Sequence, residues 1–248
     1  MSTHDGRDAA RDAVADLVEV MDRLRSPGGC PWDAEQTHAS LLPYAIEEVF
    51  EVVEAVETGD RAALREELGD LLLQVVFQAR VAQEHPTEPF GLDEVAAGIA
   101  AKLRHRHPHV FGDVEVADAE DVHRRWELIK KAEKARESAL DGIPPGMPAL
   151  ARAEKVIGRA RRAGLPVAET VAEVVADVVA DTGPAQRSEV PVEARLRAER
   201  LALALRAQEA GVDAEAVLRG AVRDLEGALR AAEAAAAPAG AAETARHA

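Results

Sequence analysis

Apolar positions along the chain recur at intervals of three and four rather than two, which predicts an all-α protein. In residues 10–25, Val14, Leu17, Val18, Met21 and Leu24 line one helical face. Ser26-Pro27-Gly28-Gly29 ends that helix, and Cys30-Pro31-Trp32-Asp33 reads as a loop. A second helix is expected over about 38–57, with Leu41, Leu42, Ala45, Val49, Val52, Val53 and Val56 apolar. Gly59 is a natural C-terminal stop and Asp60 a natural cap for a third helix over about 61–84. Pro86, Pro89 and Gly91 mark a loop, after which Asp93 is placed to cap a helix across 94–105. Beyond the turn from His107-Pro108 to Gly112, a fifth helix spans about 118–138. Asp141-Gly142-Ile143-Pro144-Pro145-Gly146-Met147-Pro148 is too rich in Pro and Gly for a regular element. Helical patterns resume at 149–163, 167–181 and 192–234, and the Ala-rich end reads as a frayed tail. No segment alternates as paired strands do.

Composition narrows the partners. The balance of 47% hydrophobic and 30% charged residues is that of a globular chain, and its Ala, Leu, Glu and Arg are helix formers. A net charge of −15 disfavours nucleic acid, whose phosphates call for a basic face. No stretch approaches an uninterrupted membrane span, since the apolar run Leu71 to Val76 is broken by Gln74. The charged N-terminus has no apolar segment of signal-peptide length, and the single Cys30 fits a reducing compartment. The expectation is a soluble, cytoplasmic protein.

Against this background one acidic pattern stands out. Glu47-Glu48-Val49-Phe50-Glu51 is followed, after fifteen residues, by Glu67-Leu68-Gly69-Asp70. Positions three apart share a helical face, so Glu48 pairs with Glu51 and Glu67 with Asp70. The short turn around Thr58-Gly59-Asp60 makes the two helices antiparallel neighbours, and the two pairs then face each other. At about 5 Å and an effective dielectric near 20, each close pair of carboxylates costs roughly 3 kcal/mol. A hard divalent cation removes that penalty, and all-oxygen ligation selects Mg²⁺ or Mn²⁺ over zinc. One such pair alone also fits a solvated helix face. Two pairs on adjacent apolar helices point further. A di-iron bundle would place His three residues after Glu on two helices, and Glu51 and Asp70 stand there instead.

Basic residues gather downstream. Lys102 and Arg106 lie one helical turn apart, as do Trp126 and Lys130. Together they could clamp phosphate beside an aromatic edge for a base. Taken alone, the spacing favours the plainer reading of a solvated helix end with cations near its C-terminus. His105, His107 and His109 lack a helical i, i+4 pair and a nearby cysteine, which disfavours zinc.

With these segments in order, CPWDAEQTHASLLPYAIEEVFEVVEAV, EELGDLLLQVVFQA, KLRHRHPHVFGD, RWELIKKAEK and ALDGIPPGMPAL, the chain resembles the MazG family of nucleotide pyrophosphohydrolases over about residues 15–165. The resemblance implies an all-α helical bundle of the MazG type completed by dimerisation, here a homodimer. It implies Mg²⁺-dependent hydrolysis of NTPs and dNTPs to monophosphate and pyrophosphate, with Mn²⁺ as a substitute. It further implies that Glu48, Glu51, Glu67 and Asp70 hold the metal and that Glu47 and Glu66 lie beside the substrate. Lys102, Arg106, Trp126 and Lys130 match its nucleotide-binding positions, and Glu47 or Glu51 could orient the attacking water. The alternative is a helical module that binds or regulates nucleotides without turnover.

Long members of that family carry two such domains, and the second half of this chain departs from the pattern. Val174 and Asp177 stand where the first half has Glu48 and Glu51, and Arg195 and Ala198 where it has Glu67 and Asp70. The expected organisation is a flexible N-terminus (1–14), a catalytic domain (15–140), a Pro/Gly linker (141–148), a degenerate domain without a metal site (149–234) and a low-complexity tail (235–248).

Overall fold

Helix-end chemistry decides where the elements of this chain begin and stop. The structure, a computed structural model, describes residues 3–118, 121–122, 125–126, 129, 138–180 and 192–236. All regular elements among them are α-helical, so the all-α expectation holds. The chain divides into two compact units, residues 1–129 and 130–248.

The first unit contains α1 (Thr3–Arg25), α2 (Pro31–Glu35), α3 (His38–Thr58), α4 (Arg61–Ala82), α5 (Leu92–Arg106) and α6 (Pro108–Phe111). Two of these, α2 and α6, fall where turns were expected. Each opens on a proline in its first turn, whose fixed φ suits a helix start and whose missing N–H costs nothing there. Thr37 caps α3 by accepting from the Ser40 N–H at 3.2 Å, while the Ser40 hydroxyl accepts from the Thr37 N–H at 2.9 Å. Gly59 adopts φ +74°, the left-handed conformation that ends α3, and the Asp60 carboxylate accepts from Ala62 and Ala63 to start α4. The expectation at α5 is corrected. Asp93 does not cap it, because the Glu94 carboxylate reaches back to the Gly91 N–H at 2.8 Å and moves the start to Leu92. The fifth helix expected over 118–138 falls largely outside the described residues.

The antiparallel hairpin of α3 and α4 is the scaffold of this unit, with α1 and α5 also packed on α4. Met21, Leu41, Val76 and Phe77 form the buried core, surrounded by Leu17, Val18, Leu73, Val81 and Leu92. Arg25 ties the end of α1 to its neighbours. It pairs twice with Glu84 at 2.8 Å, donates to the Asp33 carbonyl and lies 5.9 Å above the Phe77 ring. These contacts hold the Glu84 carboxyl below its ordinary value, chiefly through the hydrogen bond from Arg25.

The second unit contains α7 (Ala149–Arg162), α8 (Val167–Ala180), α9 (Val192–Ala210) and α10 (Ala214–Ala236). Ile157, Ala160, Val167 and Ala204 make its core. The helix expected across 192–234 is two helices. Gly211 at φ +68° ends α9, and the Asp213 side chain accepts from Ala216 to restart the chain as α10. Glu154 on α7 accepts from the Ala214 N–H at 2.7 Å, and Glu215 on α10 accepts from the Ala151 N–H at 3.4 Å.

Asp60→Ala is expected to destabilise the protein by about 1 kcal/mol through loss of the α4 cap, with Asp60→Asn recovering most of it. Chemical denaturation followed by circular dichroism measures both.

Candidate functional site

The hairpin sets a register in which residue numbers on facing turns of α3 and α4 sum to about 118. Leu41 meets Phe77 in the core, and Glu48 meets Asp70 two turns closer to the bend. Glu48, Glu67 and Asp70 each offer a carboxylate oxygen, and these three atoms lie within 4.8 Å of one another. All three residues are half-buried. Among the described residues this is the one gathering of three potential metal-ligating side chains. Glu51 is more exposed and lies at the rim, close enough for its carboxylate to act on both Glu48 and Glu67. Glu47 and Glu66 are exposed on the flanks, and the Glu66 charge acts on Glu67.

The cluster is under electrostatic load. Burial pushes the Glu48 carboxyl above its ordinary value, with Asp70, Glu51 and Glu67 adding to the rise. Desolvation likewise raises Glu67, helped by Glu51, Glu66 and Asp70. A cation among these oxygens would reverse the load, since it favours every ionised form at once. The donor set is oxygen throughout, which suits a hard divalent ion.

Of the basic residues, Lys102 is exposed on α5 and Arg106 is half-buried one turn further on. The Arg106 guanidinium stands 5.9 Å over the Trp126 ring, so two residues twenty apart in sequence come together. Lys130 lies outside the described residues. His107 is engaged locally, its Nδ1 2.7 Å from the Leu103 carbonyl, and its ring lies 5.6 Å from that of His109. In the second unit, Val174 is exposed on α8 and Arg195 pairs with Glu199 at 3.7 Å on α9, while the Asp177 side chain lies outside those described.

One residue of the hairpin seam escaped the sequence reading. Gln74 is 8% exposed, and its Oε1 is fully buried with no hydrogen-bond partner. The available signal was a lone polar residue inside an apolar run, one turn beyond Asp70.

A helical hairpin with facing carboxylate pairs in its seam defines the class of this protein. It is an all-α fold with an acidic inter-helix site. Comparison with known proteins sharpens that. A model of the MazG nucleotide pyrophosphohydrolase domain matches residues 36–111, the stretch that carries all four carboxylates. An uncharacterized 26.1 kDa protein in the blaB 3′ region of Streptomyces cacaoi is 46% identical over 221 residues, 89% of this chain and 82% of its own length. The Escherichia coli K12 protein named nucleoside triphosphate pyrophosphohydrolase is 49% identical over 152 residues, 60% of this chain and 57% of its own. The Mycobacterium tuberculosis protein of the same name is 48% identical over 155 residues, 62% and 47% respectively. A crystal structure of a MazG-related protein from Thermotoga maritima is 32% identical and covers 47% of this chain and 98% of its own, with a TM-score of 0.41. The chain belongs to the MazG family. The match spans about half the length of the relatives named pyrophosphohydrolases.

The raised carboxyls give a pH dependence with a definite sign. A carboxyl whose folded value lies above its unfolded one stabilises the fold below the unfolded value. That contribution is lost as pH rises through the folded value. In EDTA, Glu67→Gln is therefore expected to melt above wild type at pH 7, the gap closing as pH falls toward 4.5. Paired thermal melts read this directly, and Glu84, shifted the other way, cancels between the two proteins.

Proposed function

We propose that the protein is a nucleoside triphosphate pyrophosphohydrolase acting on NTPs and dNTPs in the cytoplasm, with Mg²⁺ as its ion and Mn²⁺ as a substitute. The observation that carries this reading is the convergence of the Glu48, Glu67 and Asp70 oxygens within 4.8 Å, inside the segment that matches the MazG domain. The relatives bearing that name for their activity lend it the substrate class.

In this reading Glu48, Glu67 and Asp70 hold the ion, with Glu51 completing the set from the rim. The bound ion would neutralise the triphosphate and polarise the water that attacks phosphorus. A new P–O bond forms to that water, and the α–β phosphoanhydride bond breaks with pyrophosphate leaving. Glu47 or Glu51, both exposed beside the cluster, orients the water and accepts its proton. Lys102 and Arg106 meet phosphate charge, and Trp126 offers a face on which any base can stack. Lys130 belongs to the same group by its position in sequence. The second unit serves as scaffold. Its exposed Arg195, at a position where the first unit has a carboxylate, would repel a cation.

A homodimer fits the apolar surface of the hairpin. Leu42, Ile46, Val49 and Val56 form an exposed row along α3, and Leu68, Leu72 and Val75 a second along α4. Rows of this length need a partner, and a second copy of the hairpin supplies a matching one.

Pyrophosphate release from dNTPs, with product identity read by phosphorus NMR, tests the activity. Release should require Mg²⁺ and cease in EDTA. Glu48→Gln and Asp70→Asn should each reduce turnover below about a tenth of wild type while helicity stays unchanged. Binding without release would instead mark a non-catalytic module. Ile46→Glu should shift the sedimentation coefficient from dimer to monomer, and an unshifted value would remove this face from the interface.

A further inference from the structure

Gln74 occupies a position that invites chemistry rather than packing. On a helix with 3.6 residues per turn, Glu67, Asp70 and Gln74 fall within one sector roughly 60° wide. That sector faces α3: Glu67 and Asp70 meet Glu48 and Glu51 there, and Gln78, one turn on, bonds to His38. The opposite side of α4 is occupied otherwise, with Arg80 paired to Asp22 of α1 at 2.8 Å. Gln74 therefore sits in the seam between the carboxylate layer and the His38–Gln78 contact. By the register it lies level with Tyr44 and Ala45, and Ala45 leaves room on the α3 side.

Helical side chains lean toward their own N-terminus, and for Gln74 that is the side of Asp70. Its Oε1 is buried and accepts from no protein donor, and buried polar atoms are rarely left without a partner. Leu or Met would fill the same volume without leaving such an atom. The neighbouring carboxylates have no hydrogen to donate when ionised, so they cannot satisfy this oxygen. A donor held at the inner end of the carboxylate site can.

We propose that Gln74 is a positioning residue of the carboxylate site, its side-chain oxygen accepting a hydrogen bond from a water held between it and Asp70 when a divalent cation is bound. This rests on the reading of the acidic cluster as a cation site. In the loaded site that water supplies the donor that the surrounding protein does not offer Gln74 Oε1. Such outer contacts fix the orientation of the groups around a metal, and their loss typically weakens metal affinity about 10- to 100-fold.

The test uses the full chain and Mn²⁺ alone as the probe, with affinity read by electron paramagnetic resonance and stability by thermal melts in EDTA. Gln74→Leu is expected to raise the metal-free melting temperature by a few degrees, roughly the effect of 1 kcal/mol in a protein of this size. It should weaken Mn²⁺ binding at least about tenfold. Gln74→Met, which keeps the length of the side chain, should do the same. Wild-type Mn²⁺ affinity in both variants would overturn the proposal. So would a lower metal-free melting temperature or failure of both to fold, since the amide would then be serving the fold itself. Absence of Mn²⁺ binding by the wild type would instead overturn the cation site, and Gln74's role with it.

Discussion

The register of α3 against α4 is the constraint on which the rest of this protein depends. Side chains on a helix turn by about 100° per residue, so a slip of one position would carry Glu67 or Asp70 off the seam. Nothing in the carboxylates favours the register, because they repel one another. It is set from both ends instead. Gly59 and Asp60 fix where one helix stops and the next starts, and Leu41 against Phe77 locks the far end in the core. The charged layer lies between a tight bend and an apolar plug, held at a spacing it would not choose.

That arrangement explains the distribution of other polar contacts in the first unit. Arg25 and Arg80 converge on Glu84 at the C-terminal end of α4, away from the bend. The Arg25 side chain is 6% exposed and that of Glu84 45%, so solvent reaches the pair from the carboxylate side only. Positive charge is thus used at the base of the hairpin. The carboxylates nearer the bend keep their mutual repulsion, which a bound cation would relieve.

Much of this was legible from residue order. The spacing of Glu48, Glu51, Glu67 and Asp70 gives the faces, and Gly59-Asp60 gives the turn, because both are local consequences of helical geometry. Less legible were features that depend on side chains reaching across short distances. The start of α5 at Leu92 depends on Glu94 bonding back to Gly91, which outcompetes the nearer Asp93. The helix at Pro31–Glu35 is too short for periodicity to reveal and rests on its proline and on Gln36 bonding the Trp32 carbonyl. Residue types and the family pattern group Arg106 with Trp126, but that the guanidinium stands over the ring is a tertiary contact that helical spacing cannot give. The break at Gly211 was hidden by helix-forming residues on both sides.

In the second unit, the exchange of carboxylates between α7 and α10 has a consequence for how that unit comes apart. Each helix begins on an acid supplied by the other, so neither start is complete while the other is undone. The amides of Ala151 and Ala214 therefore share one opening event although they lie far apart along the chain. A protease or a truncation that removed α10 would also loosen the first turn of α7. The second unit is in this sense tied together by chemistry rather than by topology.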